Sequence, residues 1–170
     1  MKYFNGFCLK GEEELFEPYL RRDEFTVCGF SYGAQKALEY VYHTDRRVER
    51  LILLSPAFFQ SEKASFVRTQ VRYFDAGKEA YIQQFLANVA YPRVTSLSAY
   101  LTVGDKSELE SLLGYIWEDK KLEAIVARGT VIEVFIGKKD KILKIEDTLR
   151  FFNRVCTTYC IKESGHLLEG

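Results

Sequence analysis

The sequence predicts an α/β protein with a mostly parallel sheet and a helical insertion, and three observations support this class. A β-leaning run enters Gly29-Phe30-Ser31-Tyr32-Gly33, and a helical pattern of apolar residues leaves it. The unbroken apolar run Leu51–Leu54 suits a strand buried on both faces, as in a parallel sheet. From about residue 58 to residue 128 the pattern is helical, and strand and helix then alternate again.

The remaining elements follow in order with short links. Residues 2–8 predict a short strand, and the acidic residues after Gly11 predict a helix that Pro18 shortens. In the insertion, helices are predicted at 61–74, at 78–90, after a capping box that starts at Ser107, and at 120–128 with Gly129 as its C-cap. The chain then predicts a strand at 130–136, a helix at 145–154 and a strand at 156–161.

Length, charge and cysteine usage narrow the class of protein. The 170 residues suit one compact domain, divided into a first core part (1–57), a helical cap insertion (58–128) and a second core part (129–170). The formal net charge is zero, which favours neither nucleic acid nor a membrane surface as partner. No apolar run approaches the roughly 20 residues that span a membrane, and residues 1–5 lack the apolar run of a signal peptide, so we expect neither feature. Four cysteines without metal-binding spacing are typical of a reduced, cytoplasmic protein, and we expect no metal.

Ser31 is the candidate nucleophile. It occupies a sharp strand-to-helix turn, where glycines two residues to either side leave room for the crossing strand and helix. The helix that follows points its N-terminus at the serine, and the free N–H groups there suit a developing oxyanion. Because the pentapeptide by itself is a weak signal, a serine in an ordinary turn is the alternative interpretation.

Asp140 and His166 are the candidate partners of this serine. Each follows its own predicted strand, and parallel strands place such turns at one edge of the sheet. His166 would accept the serine proton, and Asp140 would hold the imidazole in the required tautomer. Taken singly, Asp140 has the alternative of a solvated turn residue, and His166 that of an exposed tail residue. Three other residues rank lower for these roles: Asp105 in the insertion, Asp147 within a helix, and His43 at the polar end of the helix after Ser31.

Two backbone N–H groups are expected to form an oxyanion hole. One belongs to Tyr32, the residue after the nucleophile. The other comes from the turn after the first strand, Gly6-Phe7-Cys8, where Phe7 is the first choice and Cys8 the second. The alternative for Gly6 is a flexible turn glycine.

With these motifs the chain resembles the α/β-hydrolase superfamily over nearly its whole length. The matching stretches are Asn5–Leu9, Gly29–Ala34, Leu51–Ala57, Ile136–Ile142 and Gly165-His166. The order serine, aspartate, histidine along the chain is also that of the superfamily. The resemblance implies a small, truncated α/β-hydrolase fold, without the usual first strands and closing helix. A sheet edge would then be exposed or covered by a partner chain, and a homo-oligomer is one arrangement that would cover it.

More narrowly, the chain looks like the short pimeloyl-[acyl-carrier protein] methyl ester esterases of biotin synthesis. Its size, its early oxyanion turn and its helical cap support this resemblance. The resemblance implies a serine carboxylesterase in which Ser31 attacks the methyl ester, methanol leaves, and water then frees the pimeloyl carboxylate. It implies acyl carrier protein as partner and no cofactor or metal.

Basic and aromatic residues of the insertion fit a carrier-bound acyl substrate. Arg68 and Arg72 share a helix face, and together with Lys63 they are candidate contacts for an acidic carrier. Four aromatic residues are candidates for lining an acyl tunnel: Phe66, Phe74, Tyr81 and Phe85. The alternatives are ordinary solvated charges and ordinary core aromatics.

Two other functions stay open at this point. One is a general esterase, thioesterase or acyltransferase that uses the same triad. The other is a non-catalytic binding protein with a hydrolase fold, which the short sheet and the position of His166 near the end of the chain suggest.

Overall fold

A five-stranded parallel sheet forms the centre of the molecule. The computed structural model describes residues 1–169, and its strands are β1 (Lys2–Phe4), β2 (Thr26–Phe30), β3 (Arg50–Leu54), β4 (Val131–Gly137) and β5 (Thr157–Ile161). The strands lie side by side in chain order, and each neighbouring pair is parallel. The predicted α/β class is therefore confirmed, and all four strand pairs are parallel where the sequence predicted a mostly parallel sheet.

Helices connect the strands throughout the described part of the chain. The α-helices are α1 (Tyr32–His43), α2 (Ala64–Ala76), α3 (Lys78–Ala90), α4 (Lys106–Gly114), α5 (Asp119–Ala127) and α6 (Ile145–Phe152). Two further segments, Glu12–Tyr19 and Ser98–Tyr100, are 3₁₀ helices. The first of these is the helix predicted after Gly11, and it contains Pro18, which has no N–H to donate.

Helix α4 begins differently from the prediction. The capping box starts at Asp105 rather than at Ser107: the Asp105 carboxylate accepts the N–H of Glu108 at 2.8 Å, and the Glu108 side chain reaches back to the Asp105 N–H. Ser107 lies inside the first turn and donates its hydroxyl to Asp105. At the end of α5, the predicted C-cap glycine is confirmed, because Gly129 has φ +87° and donates to the Val126 carbonyl.

Both faces of the sheet are covered. Within β3, Leu51 and Leu53 pack on one face against residues of α1, α5 and α6, whereas Ile52 and Leu54 pack on the other. All four side chains are fully buried, as predicted for a strand of a parallel sheet. The second face is covered by the first 3₁₀ helix, the end of α3 and residues near the C-terminus.

Helices α2, α3 and α4 contribute to a third apolar cluster, beside the turns that follow the strands. In this cluster Leu109 and Leu112 of α4 pack with Phe7 and Phe59. Helix α5, which the predicted insertion 58–128 includes, packs through Leu122 in the cluster of α1 and the sheet. The division into core and cap parts stays a prediction. Among residues 1–169, no helix is long and apolar enough to cross a membrane.

Candidate active site

Ser31 lies in a strained turn between β2 and α1. Its backbone angles, φ 54° and ψ −112°, fall in a region that serine rarely adopts. Three hydrogen bonds hold it there: its N–H donates to the Leu54 carbonyl at 2.9 Å, and its own carbonyl accepts the N–H groups of Ala34 and Ala57. The neighbouring strand and the following loop thus keep the serine in the conformation of a nucleophile elbow.

The two glycines of the elbow are required by close backbone contacts. A Cβ atom on Gly29 would lie 2.3 Å from the carbonyl oxygen of Gly33. A Cβ atom on Gly33 would lie 1.9 Å from the carbonyl oxygen of Phe4, at the end of β1. Because real Cβ contacts are never this short, the G-x-S-x-G pattern follows from the packing of β1, β2 and α1.

Asp140 and His166 meet at the same edge of the sheet, after β4 and β5. The Oδ2 atom of Asp140 lies 2.6 Å from Nδ1 of His166, and both side chains are fully buried. The other carboxylate oxygen accepts the backbone N–H groups of Ile142 and Leu143, at 2.6 and 3.2 Å. The His166 ring also packs on Phe30, with 5.1 Å between ring centroids. The carboxylate is therefore fixed to its own loop and orients the imidazole.

The second ring nitrogen of His166 is free to accept a proton. With Nδ1–H donated to Asp140, Nε2 bears the lone pair, and it is buried without a hydrogen-bond partner among residues 1–169. The Ser31 hydroxyl therefore makes no hydrogen bond to it in this structure. Catalytic hydrogen bonds of this kind are often long before substrate binds and tighten in the complex.

The expected oxyanion donors lie at the same edge. The turn after β1 is closed by a hydrogen bond from Leu9 N–H to the Gly6 carbonyl, with Cys8 at φ 59°. Within residues 1–169, the N–H groups of Phe7 and Cys8 bind no acceptor of the chain. Tyr32 begins α1, so its N–H has no intrahelical partner. Phe7 and Tyr32 also pack in one apolar cluster, which brings these two segments together.

Several solved structures share this architecture. A bromoperoxidase from Bacillus anthracis superposes with a TM-score of 0.68 at 17% identity, over 92% of this chain and 65% of that one. An α/β hydrolase fold protein from Burkholderia ambifaria gives 0.55 at 18% identity, over 91% and 63%. An esterase, EaEST, from Exiguobacterium antarcticum gives 0.56 at 16% identity, over 83% and 59%. The fold is that of the α/β-hydrolases.

At sequence identities of 16–18%, the similarity to these three proteins shows a shared fold and nothing more. The chain spans about three fifths of the length of these three proteins, at 65%, 63% and 59%. No protein-family model matches the chain, and no curated protein sequence matches it. The narrower resemblance to esterases of biotin synthesis therefore stays a prediction.

A cleft of about 460 Å³ lies against the loop that follows Asp140, and residues 141–144 form part of its wall. Of the four aromatic residues predicted to line an acyl tunnel, Phe66, Tyr81 and Phe85 line the cleft, together with Leu143 from the loop after Asp140. Phe74 is buried and packs its ring edge-on against Tyr81, at 5.6 Å between centroids. Binding of an acyl chain in the cleft stays a prediction.

The lower-ranked catalytic candidates and the candidate carrier contacts occupy a helix cap or surface positions. Asp105 caps α4, Asp147 pairs with Arg150 on the surface of α6, and His43 is exposed at the end of α1. The three candidate carrier contacts are exposed on α2 or at its N-terminus: Lys63, Arg68 and Arg72. Within the described residues, no cluster of histidine, cysteine or acidic side chains is placed to hold a metal ion.

Ser55, directly after β3, is a residue of the site that was not predicted from the sequence. Ser55 is fully buried at φ 42°, and its hydroxyl donates to the backbone carbonyl of His166 at 2.6 Å. This bond ties the loop of the candidate base to the centre of the sheet. A buried polar residue after an apolar strand, at the edge where ligands of α/β sheets bind, was the available signal.

Proposed function

We propose that this protein is a serine esterase with Ser31 as nucleophile, His166 as general base and Asp140 as the group that orients the base. The observation that supports it most is the 2.6 Å contact between Asp140 and His166, which leaves the other imidazole nitrogen free at the edge where Ser31 is strained. A serine hydroxyl is a poor nucleophile unless such a base accepts its proton.

In the proposed reaction, His166 Nε2 takes the hydroxyl proton while Ser31 Oγ attacks the ester carbonyl. The N–H groups of Phe7 and Tyr32 stabilise the oxyanion that forms. His166 then gives its proton to the departing alcohol, and an acyl-enzyme remains. Water, deprotonated by the same imidazole, attacks the acyl group, and the carboxylate product leaves with Ser31 regenerated.

The burial of the site bears on how substrate enters. Ser31 is 3% exposed and His166 is not exposed at all. A carrier-bound ester therefore reaches Ser31 and His166 only if the side chains around them move apart. The cleft of about 460 Å³, with its wall of aromatic side chains and with Leu143 from the loop after Asp140, is the approach that we propose for the substrate.

For the substrate, we propose the methyl ester of pimeloyl-[acyl-carrier protein], whose cleavage would free the pimeloyl carboxylate for biotin synthesis. Three features support it: the resemblance described above, the aromatic cleft, and exposed basic residues on α2 that suit an acidic carrier. The second candidate is a general esterase. It is favoured by the shared fold with the esterase from Exiguobacterium antarcticum.

Mass spectrometry of the carrier-bound ester tests the proposal. Purified protein and its Ser31→Ala variant are incubated with pimeloyl-acyl carrier protein methyl ester, and the mass of the acyl chain is then measured. Loss of one methylene mass with the wild-type protein alone is the expected result. An intact carrier ester beside cleavage of a simple aryl ester would favour the general esterase. No cleavage of either by folded protein would overturn the esterase and favour a binding protein.

A further inference from the structure

Glu12 is a fully buried carboxyl group that lies against the turn after β1. Its Oε1 atom accepts the N–H of Gly6 at 2.7 Å and, at 3.4 Å, the hydroxyl of Tyr3. Its Oε2 atom is also buried and has no hydrogen-bond partner among residues 1–169. The proposed reaction does not use this carboxyl group.

The burial of Glu12 is not explained by charge pairing. Its charged neighbour is another acid, Glu13, and no lysine or arginine of residues 1–169 forms an ion pair with Glu12. Desolvation accordingly raises the pKa of Glu12. An unpaired buried acid destabilises a fold relative to an apolar residue of similar size. The position therefore points to a role for the carboxyl group besides stability.

The hydrogen bonds around the turn indicate that role. Beyond Phe7, the chain is held by a segment of the insertion: the Thr102 N–H donates to the Cys8 carbonyl, and the Lys10 N–H donates to the Tyr100 carbonyl, both at 2.8 Å. Before Phe7, the carboxyl group of Glu12 accepts the N–H of Gly6, and the Asn5 side chain accepts the N–H of Gly11 at 3.0 Å. The turn is thus held by hydrogen bonds on both sides of Phe7, whose N–H is the oxyanion donor expected from this turn.

We propose that Glu12 is a positioning residue for the oxyanion hole. By accepting the Gly6 N–H, Glu12 fixes the Asn5–Gly6 peptide, while the Leu9 N–H on the Gly6 carbonyl holds the next peptide, which carries the Phe7 N–H. The two bonds together set the backbone of Gly6 and so aim the Phe7 N–H at the reacting oxygen. The proposal rests on the proposed esterase function. It requires only an acceptor oxygen at the Oε1 position, which a glutamine side chain also supplies.

The test compares Glu12→Leu and Glu12→Gln with the wild-type protein on an aryl ester. Removal of an oxyanion donor lowers kcat by about 10²–10³, so we expect displacement of one in Glu12→Leu to lower kcat by roughly 10- to 100-fold with KM little changed. Glu12→Gln is expected to retain kcat within about threefold. A trifluoromethyl ketone, which forms an oxyanion on the serine, should lose affinity in Glu12→Leu in parallel with kcat. Tyr3→Phe, which removes only the longer bond to the same oxygen, is the matched control and should stay near wild type.

The outcomes separate this proposal from the esterase itself. A wild-type protein without Ser31-dependent turnover overturns the esterase and this proposal together. Normal turnover and ketone affinity in a folded Glu12→Leu protein, checked by near-UV circular dichroism, overturn this proposal alone, as does an equal loss in Glu12→Gln. Where Glu12→Leu does not fold, Glu12→Asp takes its place, because its shorter side chain draws the carboxyl group away from Gly6.

Discussion

The carboxylate of Asp140 accepts three hydrogen bonds, one of them from the imidazole of His166 at 2.6 Å. The other two come from the backbone N–H groups of Ile142 and Leu143. An asparagine at this position would keep its carbonyl oxygen on the two backbone donors and turn its amide group toward His166. The imidazole would then have to accept at Nδ1 and place its proton on Nε2, where the proposed reaction needs a lone pair.

We therefore expect Asp140→Asn to fold normally and to lower kcat by about 10³–10⁴. Steady-state kinetics on an aryl ester, with near-UV circular dichroism to check the fold, measure the effect. Asp147→Asn changes an aspartate that pairs with Arg150 on α6, outside the site, and should leave kcat unchanged. Near-normal turnover in Asp140→Asn would contradict the assigned role of Asp140.

The elbow glycine Gly33 is expected to tolerate no side chain. A Cβ atom there would meet the Phe4 carbonyl oxygen at 1.9 Å, so Gly33→Ala must push β1 and α1 apart. We expect the free energy of unfolding to fall by more than about 3 kcal/mol. Gly114, the exposed last residue of α4, has no atom within 4 Å of the same position, so Gly114→Ala should raise stability by about 0.5–1 kcal/mol. Urea unfolding of both variants measures the contrast, and a Gly33→Ala protein as stable as wild type would refute the packing argument.

The hydroxyl of Ser55 is expected to support both stability and turnover. Ser55→Ala leaves the buried carbonyl of His166 without its donor, which lowers the free energy of unfolding by about 1–3 kcal/mol. Loosening of the loop of the base should also lower kcat by about tenfold. Ser61→Ala, at an exposed serine, is the control and should change neither quantity. Thermal unfolding and steady-state kinetics on the same samples measure both effects. Unchanged stability and kcat in Ser55→Ala would contradict the supporting role of this hydrogen bond.

The four cysteines are expected to differ widely in reactivity toward iodoacetamide in the folded protein. Cys160 is exposed on β5, whereas Cys8 and Cys28 are buried. Burial raises the pKa of Cys8 and of Cys156 to about 12, so at pH 8 very little of either is the reactive thiolate.

Peptide mapping after brief labelling at pH 8 should find the label on Cys160 first. Because a thiol with a raised pKa gains thiolate as the pH rises, labelling of the half-buried Cys156 should increase about tenfold per pH unit between pH 8 and pH 10. Cys160→Ser should abolish the fast phase. Fast labelling of Cys8 would contradict the closed packing around the turn after β1.

Several parts of the site follow from local pattern. The elbow at Ser31 was predictable because the strand before it, the helix after it and its two glycines lie within a few residues of one another. The buried strand Leu51–Leu54 was predictable because a run of apolar residues is a direct signature of a strand covered on both faces. Placement of Asp140 and His166 at one edge needed one further step, that the strands are parallel.

Other parts could not be predicted because several local choices compete. Asp105 and Ser107 both suit a helix N-cap, and only the extended backbone of Asp105 decides between them. Phe66 and Phe74 both fit an inward-facing stripe of α2, yet the packing against α3 buries Phe74 and leaves Phe66 on the cleft. Glu12 stands in a run of three acids that indicates the solvated first turn of a helix, and its burial depends on how the 3₁₀ helix packs on the sheet.

By itself, then, the amino-acid sequence determined the α/β class, the serine elbow and the residue types that the parallel strands bring to one edge. Only the tertiary structure decided which polar groups meet once buried. Ser55 binds the carbonyl of His166 across 111 positions of the chain, and Glu12 is buried against Gly6 because the first 3₁₀ helix packs on the sheet. The reason is physical: backbone conformation and apolar periodicity act between near neighbours, whereas the partner of a buried polar atom is chosen by the packing of segments that are distant along the chain.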